Sequence, residues 1–573
     1  MTGTSKSDNS FWGRIFAHIV SNGWVYIACA VPLETLLAGL LSNRQFMSSN
    51  LAMRIVGAQH LLDGKKLYVD FFDWTQPILL QSMRSVLAVS NIFGEVAKFL
   101  TRIGWQLLAS PFAFLLVPGV SVILVQFFAF GLALLLTGLI AARADTKSGK
   151  LDNSAVLYML AASLSALIVL YDFGDLQFML LTGMLPWLYL RFERYKGTAF
   201  PLWLSTTTGL LAGFSACLDV TFLPVFLIVE LVFLLRTLKW RCLAHPETAA
   251  FLLLPVLYAS ILALCPEPFH TQFWKWAMPL RLLQFSIDNE SIYGPKSTPN
   301  RLDVLYTALS ALAAASILKR ESTLVAALAS LLVCGFALYI MGGEGFSSEL
   351  ILVIFASLAI FLLCLEAPAV HLNNFLSLRC RAFHSKYLGQ IVILLLALTG
   401  STIVAGSLSH DRDLLVEEST KASNLDKVSL ETAIGLWSNP GDTVTIFADY
   451  PEPAFPSILF LDRRSNTYFL SCRPLRYLRW LKERALLDRP LQDFHNIVHE
   501  QLENEIENTS ACVVMLADAH EHEIFEKEKL LEALAKHYAI KCQSAFYFNH
   551  NNHQPREFVG FDYAYGVYRP GKP

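Results

Sequence analysis

Long apolar runs separated by short polar loops dominate the chain as far as about residue 406. A bilayer core takes ~20 apolar residues per helix. On that measure spans are predicted near 22–41, 119–142, 153–171, 176–190, 201–218, 222–235, 248–265, 302–318, 322–341, 349–366 and 388–406, about eleven in all. Between the first two lies a long segment, 42–118, with Pro-interrupted apolar pieces at 78–93 and 105–117 that read as interfacial or re-entrant helices. Beyond residue 406 hydrophobic density falls and charge rises. There Thr443–Ala448 and 511–517 read as short buried strands and 523–537 as an amphipathic helix, so a small α/β domain is expected over 407–573. The pattern as a whole predicts a polytopic α-helical membrane protein with a C-terminal α/β extracytoplasmic domain.

The loops orient it. Every second one is basic: Arg143, Lys147 and Lys150; Arg191, Arg194 and Lys196; Arg236, Lys239 and Arg241; Lys319 and Arg320; Arg379, Arg381 and Lys386. The loops between carry acids instead, Asp172 with Asp175, then Asp219, then Glu344 and Glu349. Basic short loops stay on the cytoplasmic side. Residues 1–21 are therefore predicted to be cytoplasmic, 22–406 the membrane domain and 407–573 periplasmic, in a cell inner (plasma) membrane. Composition agrees: 54% hydrophobic, 16% charged and a mean hydropathy of +0.45 exclude an ordinary cytosolic protein. A net charge of -2 offers no basic field, so no nucleic-acid partner is expected. The ten cysteines form no CxxC pair, and neither a disulfide framework nor a metal site follows from them.

Three segments break the regular alternation, all on the predicted outer side: 42–118, 266–301 and 407–573. In the first, residues 50–64 place apolar positions at helical spacing ahead of a Gly C-cap, which predicts an amphipathic helix lying on the membrane. After it comes Leu67-Tyr-Val-Asp70-Phe-Phe-Asp73-Trp-Thr-Gln-Pro77. Two carboxylates bracketed by aromatics are suited to partial desolvation and general-base work. The competing account is a solvated loop in which Asp73 caps the helix starting near Pro77.

This stretch resembles the first periplasmic loop of the GT-C superfamily of integral membrane glycosyltransferases, which includes the protein O-mannosyltransferases and the lipid A aminoarabinose transferase. The matching residues are Arg54, Gly57, Ala58, Leu61, Leu62, Gly64, Tyr68, Asp70, Phe71, Phe72, Asp73 and Pro77. Likeness continues at Tyr171-Asp-Phe-Gly174, Gly209-Leu-Leu-Ala-Gly213 and Pro453-Ala-Phe-Pro456, in the same order along the chain. The chain departs from its bacterial relatives at Asn50, where an acid is usual, and at Asp175-Leu-Gln-Phe178, where a polar run is usual. It also departs at Asp219, where a Lys is usual, and at Gly343-Glu-Gly-Phe-Ser-Ser348, where cations and a Tyr-His pair are common.

The resemblance implies an inverting glycosyltransferase that moves a sugar from a polyprenyl-phosphate donor to a lipid, glycan or protein acceptor at the outer face. Asp70 and Asp73 would be catalytic, with Asp70 as the base and Asp73 assisting, or the reverse. Asn50, Arg54, Tyr68, Asp172, Lys275, Arg281 and Arg301 would bind substrate, the cations holding the departing phosphate. No cofactor is assigned and a divalent cation is left open; membrane lipids complete the partners. Two alternatives stand beside this reading. One is a non-catalytic lipid-sugar binding protein, for which Asn50 is the main support. The other is a lipid or glycan transporter, disfavoured because Glu34 and Glu230 are the notable charges within spans and Glu230 reads as an end-of-helix acid near Arg236.

Overall fold

The computed structural model describes residues 22–42, 49–102 apart from 74, 118–144, 153–168, 173–281 apart from 268, 322–342, 350–364, 434–448 apart from 437, 454–470 apart from 466 and 469, 473–507, 512–517, 526–532 apart from 531, 538–548 and 561–570. In chain order the helices begin with α1 (Gly23–Ser42), α2 (Ser49–Leu62), α3 (Pro77–Arg102), α4 (Pro118–Ala144), α5 (Asn153–Ile168), α6 (Leu176–Lys196), α7 (Leu202–Cys217), α8 (Phe222–Thr237) and α9 (Pro246–Leu264). Helical and π-helical turns follow at Phe269–Gln272 and Phe273–Ala277, then α10 (Thr323–Gly342) and α11 (Ile351–Cys364). The C-terminal part runs β1 (Thr443–Ala448), α12 (Ala454–Phe460), β2 (Arg464–Ser465), α13 (Arg473–Glu483), α14 (Arg489–Glu507), β3 (Cys512–Ala517), β4 (Tyr538–Phe548) and β5 (Phe561–Pro570).

Helices occupy nine of the stretches predicted to span; 302–318 and 388–406 lie outside the described residues. Among the described residues two helices, Gly119–Ala144 and Pro246–Leu264, are long and apolar enough to cross a membrane, and four more are apolar but shorter. On α9 the side chains of Leu253, Val256, Leu257, Ile261 and Leu264 are exposed, an apolar stripe that suits lipid better than water. The predicted 78–93 piece is part of one longer helix, α3, while 105–117 lies outside the described residues.

The chain forms two compact units. One comprises Met1–Phe46, Val125–Ile261 and Ile292–His410. Its core is α6, which is buried from Leu180 to Tyr195 and is capped by the Asp175 carboxylate on the Leu176 amide at 2.7 Å. The Gly209-x-x-x-Gly213 pattern has a packing reason here. A Cβ on Gly209 would stand 2.3 Å from the Glu247 carbonyl oxygen, and one on Gly213 2.5 Å from that of Phe251, so α7 and α9 cross in backbone contact.

The same unit buries an ionic cluster. Arg191 is fully buried and donates to Glu230 Oε2 at 2.9 Å and Glu247 Oε1 at 3.0 Å. Arg194 grips both Glu247 oxygens, at 2.8 and 3.0 Å, and the Tyr195 hydroxyl donates to Glu230 at 2.7 Å. Glu230 lies in the middle of α8 and is paired across helices with Arg191, which corrects its reading as an end-of-helix acid near Arg236: the guanidinium on α6 lies across a buried contact that chain proximity does not reveal.

The second unit comprises Met47–Leu124, Leu262–Ser291 and Asp411–Pro573, combining parts of the three segments that sequence set apart. It contains a five-stranded sheet of order β2-β1-β3-β5-β4. β1 pairs parallel with β2 and β3, with Val444 opposite Ser465 and Cys512; β5 pairs antiparallel with β3 and β4. β1 and β3 lie where the sequence predicts strands. Of the helix predicted over 523–537 only short helical turns within 526–532 are described.

Candidate functional site

Gly57 explains why α2 does not lie on a surface. A Cβ there would stand 2.9 Å from Leu470 Cδ1, 3.2 Å from Leu80 Cδ2 and 3.6 Å from Asp73 Oδ2. The bare backbone lets α3 and the C-terminal segment close over α2, and Leu51 to Ala58 are all buried. The expected membrane-lying amphipathic helix is therefore corrected to a core helix of its unit. Its end is as predicted: Gly64, at φ +89°, takes the left-handed position, and the Lys65 amide closes onto the His60 carbonyl at 3.0 Å.

The chain then turns back tightly. The Tyr68 amide donates to the Phe71 carbonyl at 2.6 Å, with Tyr68 itself in the left-handed region at φ 69°. Such a conformation is uncommon outside Gly, Asn and Asp, and it is held by the burial of the ring among Phe72, Phe269 and Phe273. Tyr68 is fully buried, so its place is in the core beneath the loop. Asp70 is exposed, and its Oδ2 accepts the Lys66 amide at 2.7 Å, closing the turn.

Asp73 differs on every count. The residue is 4% exposed; its Oδ1 accepts the Thr75 amide at 2.8 Å, while its Oδ2 is enclosed and has no hydrogen-bond partner among the described residues. Asp73 does not cap α3, because its bond goes to Thr75, ahead of the helix start at Pro77. Burial raises its pKa above the ordinary carboxylate value; the Thr75 amide and hydroxyl, and the charges of Arg54 and Arg281, act the other way without cancelling it. Arg54 lies on α2, three residues before Gly57, and is itself buried. Arg281, in the chain following the π-helical turn, is half-buried.

The remaining predicted residues divide. Asn50 is half-buried in the first turn of α2, four residues before Arg54, and Lys275 is exposed beside the exposed Trp274. Asp172 and Arg301 lie outside the described residues. Asp175 and Asp219 belong to the other unit, where each serves its own backbone: Asp219 Oδ1 accepts the Thr221 amide at 2.9 Å. Among the described residues no group of three or more His, Cys, Asp or Glu side chains is arranged to hold a metal ion.

Three residues of the site carry no sequence signal. His60 is buried, its Nε2 2.9 Å from the Ser465 carbonyl oxygen, and burial together with the Lys65 charge lowers its pKa to about 4, so it is neutral. Tyr468 accepts the Phe72 amide on its carbonyl at 2.6 Å and donates its hydroxyl to the Tyr68 carbonyl at 3.3 Å. Glu505, in the last turn of α14, accepts the Tyr468 amide. His60 and Tyr468 each depend on a partner about four hundred positions away, and Glu505 on one 37 positions away, separations that no local pattern encodes.

What this arrangement offers chemically is a desolvated carboxylate with one fixed and one unoccupied oxygen, in the field of two guanidinium groups. Comparison with protein-family models and with curated proteins finds no match for the chain.

Proposed function

We propose that this protein is an inverting membrane glycosyltransferase of the GT-C type, drawing a sugar from a polyprenyl phosphate at the outer face of a bacterial inner membrane. The topology that goes with this reading is about eleven spans, a cytoplasmic N-terminus and an α/β domain in the periplasm. Its acceptor is a lipid, glycan or protein hydroxyl.

The observation that carries the reading is the state of Asp73. A general base needs a lone pair directed at the proton it takes and a pKa raised toward the working pH. Among the described residues Oδ2 is enclosed and unbonded, and burial raises the pKa. Asp70 is exposed and engaged in its own turn, so the base is assigned to Asp73 and Asp70 shapes the loop. In the reaction the acceptor oxygen attacks the anomeric carbon and its proton passes to Asp73 Oδ2. The bond from that carbon to the phosphate oxygen breaks, and its electron pair leaves with the polyprenyl phosphate. Arg54 and Arg281 supply positive charge as that anion forms. Two guanidinium groups beside a single buried carboxylate do not suit a divalent cation, because their charge opposes its binding.

The test is a panel of short-chain polyprenyl-phosphate sugars offered to purified wild type, Asp70→Asn and Asp73→Asn. Transfer or donor hydrolysis lost in Asp73→Asn, with donor binding retained, is expected. Donor binding without turnover in any form would indicate a lipid-sugar binding protein, and absence of binding would sink the donor assignment.

A further inference from the structure

Tyr468 secures the loop that carries Asp73 from both ends of its turn. Its carbonyl accepts the Phe72 amide, one residue before Asp73, and its hydroxyl donates to the Tyr68 carbonyl. Tyr468 is buried and is held in its turn by Glu505, whose Oε1 accepts the Tyr468 amide. The helix bearing Glu505 is seated on the same loop: Phe494 of α14 lies 5.0 Å from the Phe72 ring and stacks on Trp276 at 4.6 Å. A hydrogen bond from an amide to a carboxylate is about twice as strong as one to a neutral carboxyl. The charge on Glu505 therefore governs how firmly Tyr468, and with it the Phe72 amide, is held.

We propose that Glu505 is a positioning residue for the Asp73 base, acting through Tyr468, and that its ionisation tightens the loop over residues 67–73. The proposal rests on Asp73 being the base. Glu505 faces Lys65, in the turn after α2, and the Tyr468 amide and ring; Asp63 and Asp70 act on Lys65 from the same turn, and Asp70 also acts on Tyr468. On its own helix Glu503 is turned toward His499, 3.6 Å away. Burial pushes Glu505 up to about 8 against the opposing pull of the Tyr468 amide and Lys65, so both charge states are reached under mild conditions. Burial likewise lowers Lys65 from its ordinary value, against the pull of Asp63, Glu505 and Asp70.

The experiment is amide hydrogen exchange on the full-length protein in detergent, following the peptide over residues 66–73 in wild type and in Glu505→Gln. Comparing the two chains at one pH cancels the intrinsic pH dependence of exchange. At a pH of about 6 both carry a neutral side chain and should exchange alike; at about 9.5 the wild type should be protected roughly tenfold more than the variant. Equal protection at both values would overturn the proposal. Asp73→Asn, in the same measurement, should keep the wild-type pH response while losing transfer. Glu505→Gln should transfer sugar but lack the rise in rate through about pH 8 that the wild type shows. An intact exchange response with no transfer by the wild type would refute the catalytic reading alone, and an unchanged rate rise in Glu505→Gln would refute the positioning role alone.

Discussion

The buried ionic cluster on α6, α8 and α9 gives the sharpest test of the packing. Glu247 is fully buried and accepts three bonds, from Arg191 Nη1 at 3.0 Å and from Arg194 Nε and Nη2 at 2.8 and 3.0 Å. Glu247→Gln keeps the shape and removes the charge, leaving two buried guanidinium groups with Glu230 as the remaining carboxylate of the cluster. Removing one partner of a buried pair costs ~3–5 kcal/mol, because the surviving charge stays desolvated. At ~2–4 °C per kcal/mol for a unit of this order of size, the unfolding midpoint should fall by roughly 6–20 °C. Thermal challenge in detergent, followed by size-exclusion of the surviving monodisperse fraction, reads that shift. The double variant Arg194→Met with Glu247→Met should recover most of the loss, since an apolar pair of similar volume replaces a buried ion pair at little cost. A midpoint within about 2 °C of wild type for Glu247→Gln would mean that water reaches the cluster, and would refute the burial on which the estimate rests.

Other outcomes follow from the second unit and from the helix crossing. Asp73→Asn should abolish transfer yet raise the unfolding midpoint near neutral pH. With its folded pKa above the unfolded value, the ionised Asp73 carries a penalty at every pH above the unfolded pKa, and that penalty is relieved as pH falls through the folded value. Transfer by the wild type should correspondingly decline as acid protonates Asp73, at a pH above the ordinary carboxylate value, measurable as a pH–rate profile. Asp70→Asn should cost less than about tenfold in rate, because its exposed side chain serves the turn. Gly213→Val should prevent α7 from seating on the Phe251 carbonyl and destabilise by at least ~1–3 kcal/mol, visible in the same thermal assay.

The helices at nine of the predicted stretches, strands β1 and β3, and the Gly64 terminus were legible because each depends on a local property: run length, β-branched and apolar content, or one residue's freedom at positive φ. The acid pair was legible as a pair, but its division was not. Asp70 and Asp73 sit three apart among the same aromatics. Only the folded chain exposes one and encloses the other beneath Gly57, Leu80 and Leu470.

By itself, the sequence determined the apolar helices, the basic and acidic alternation of the loops, and the residue types available to a site. Burial against a particular neighbour belonged to the tertiary structure. Arg191 and Arg194 count as loop cations in the sequence, yet folding encloses them with Glu230 and Glu247. Asn50 to Gly64 has the periodicity of a surface helix, yet α3 and the C-terminal segment cover it. Glu505 and Tyr468 have no local signature at all, because hydrogen bonds between residues 37 and 400 positions apart leave no trace in the neighbours of either. Desolvation sets which carboxylate is perturbed and which charge is costly, and it is a property of what surrounds a group in space.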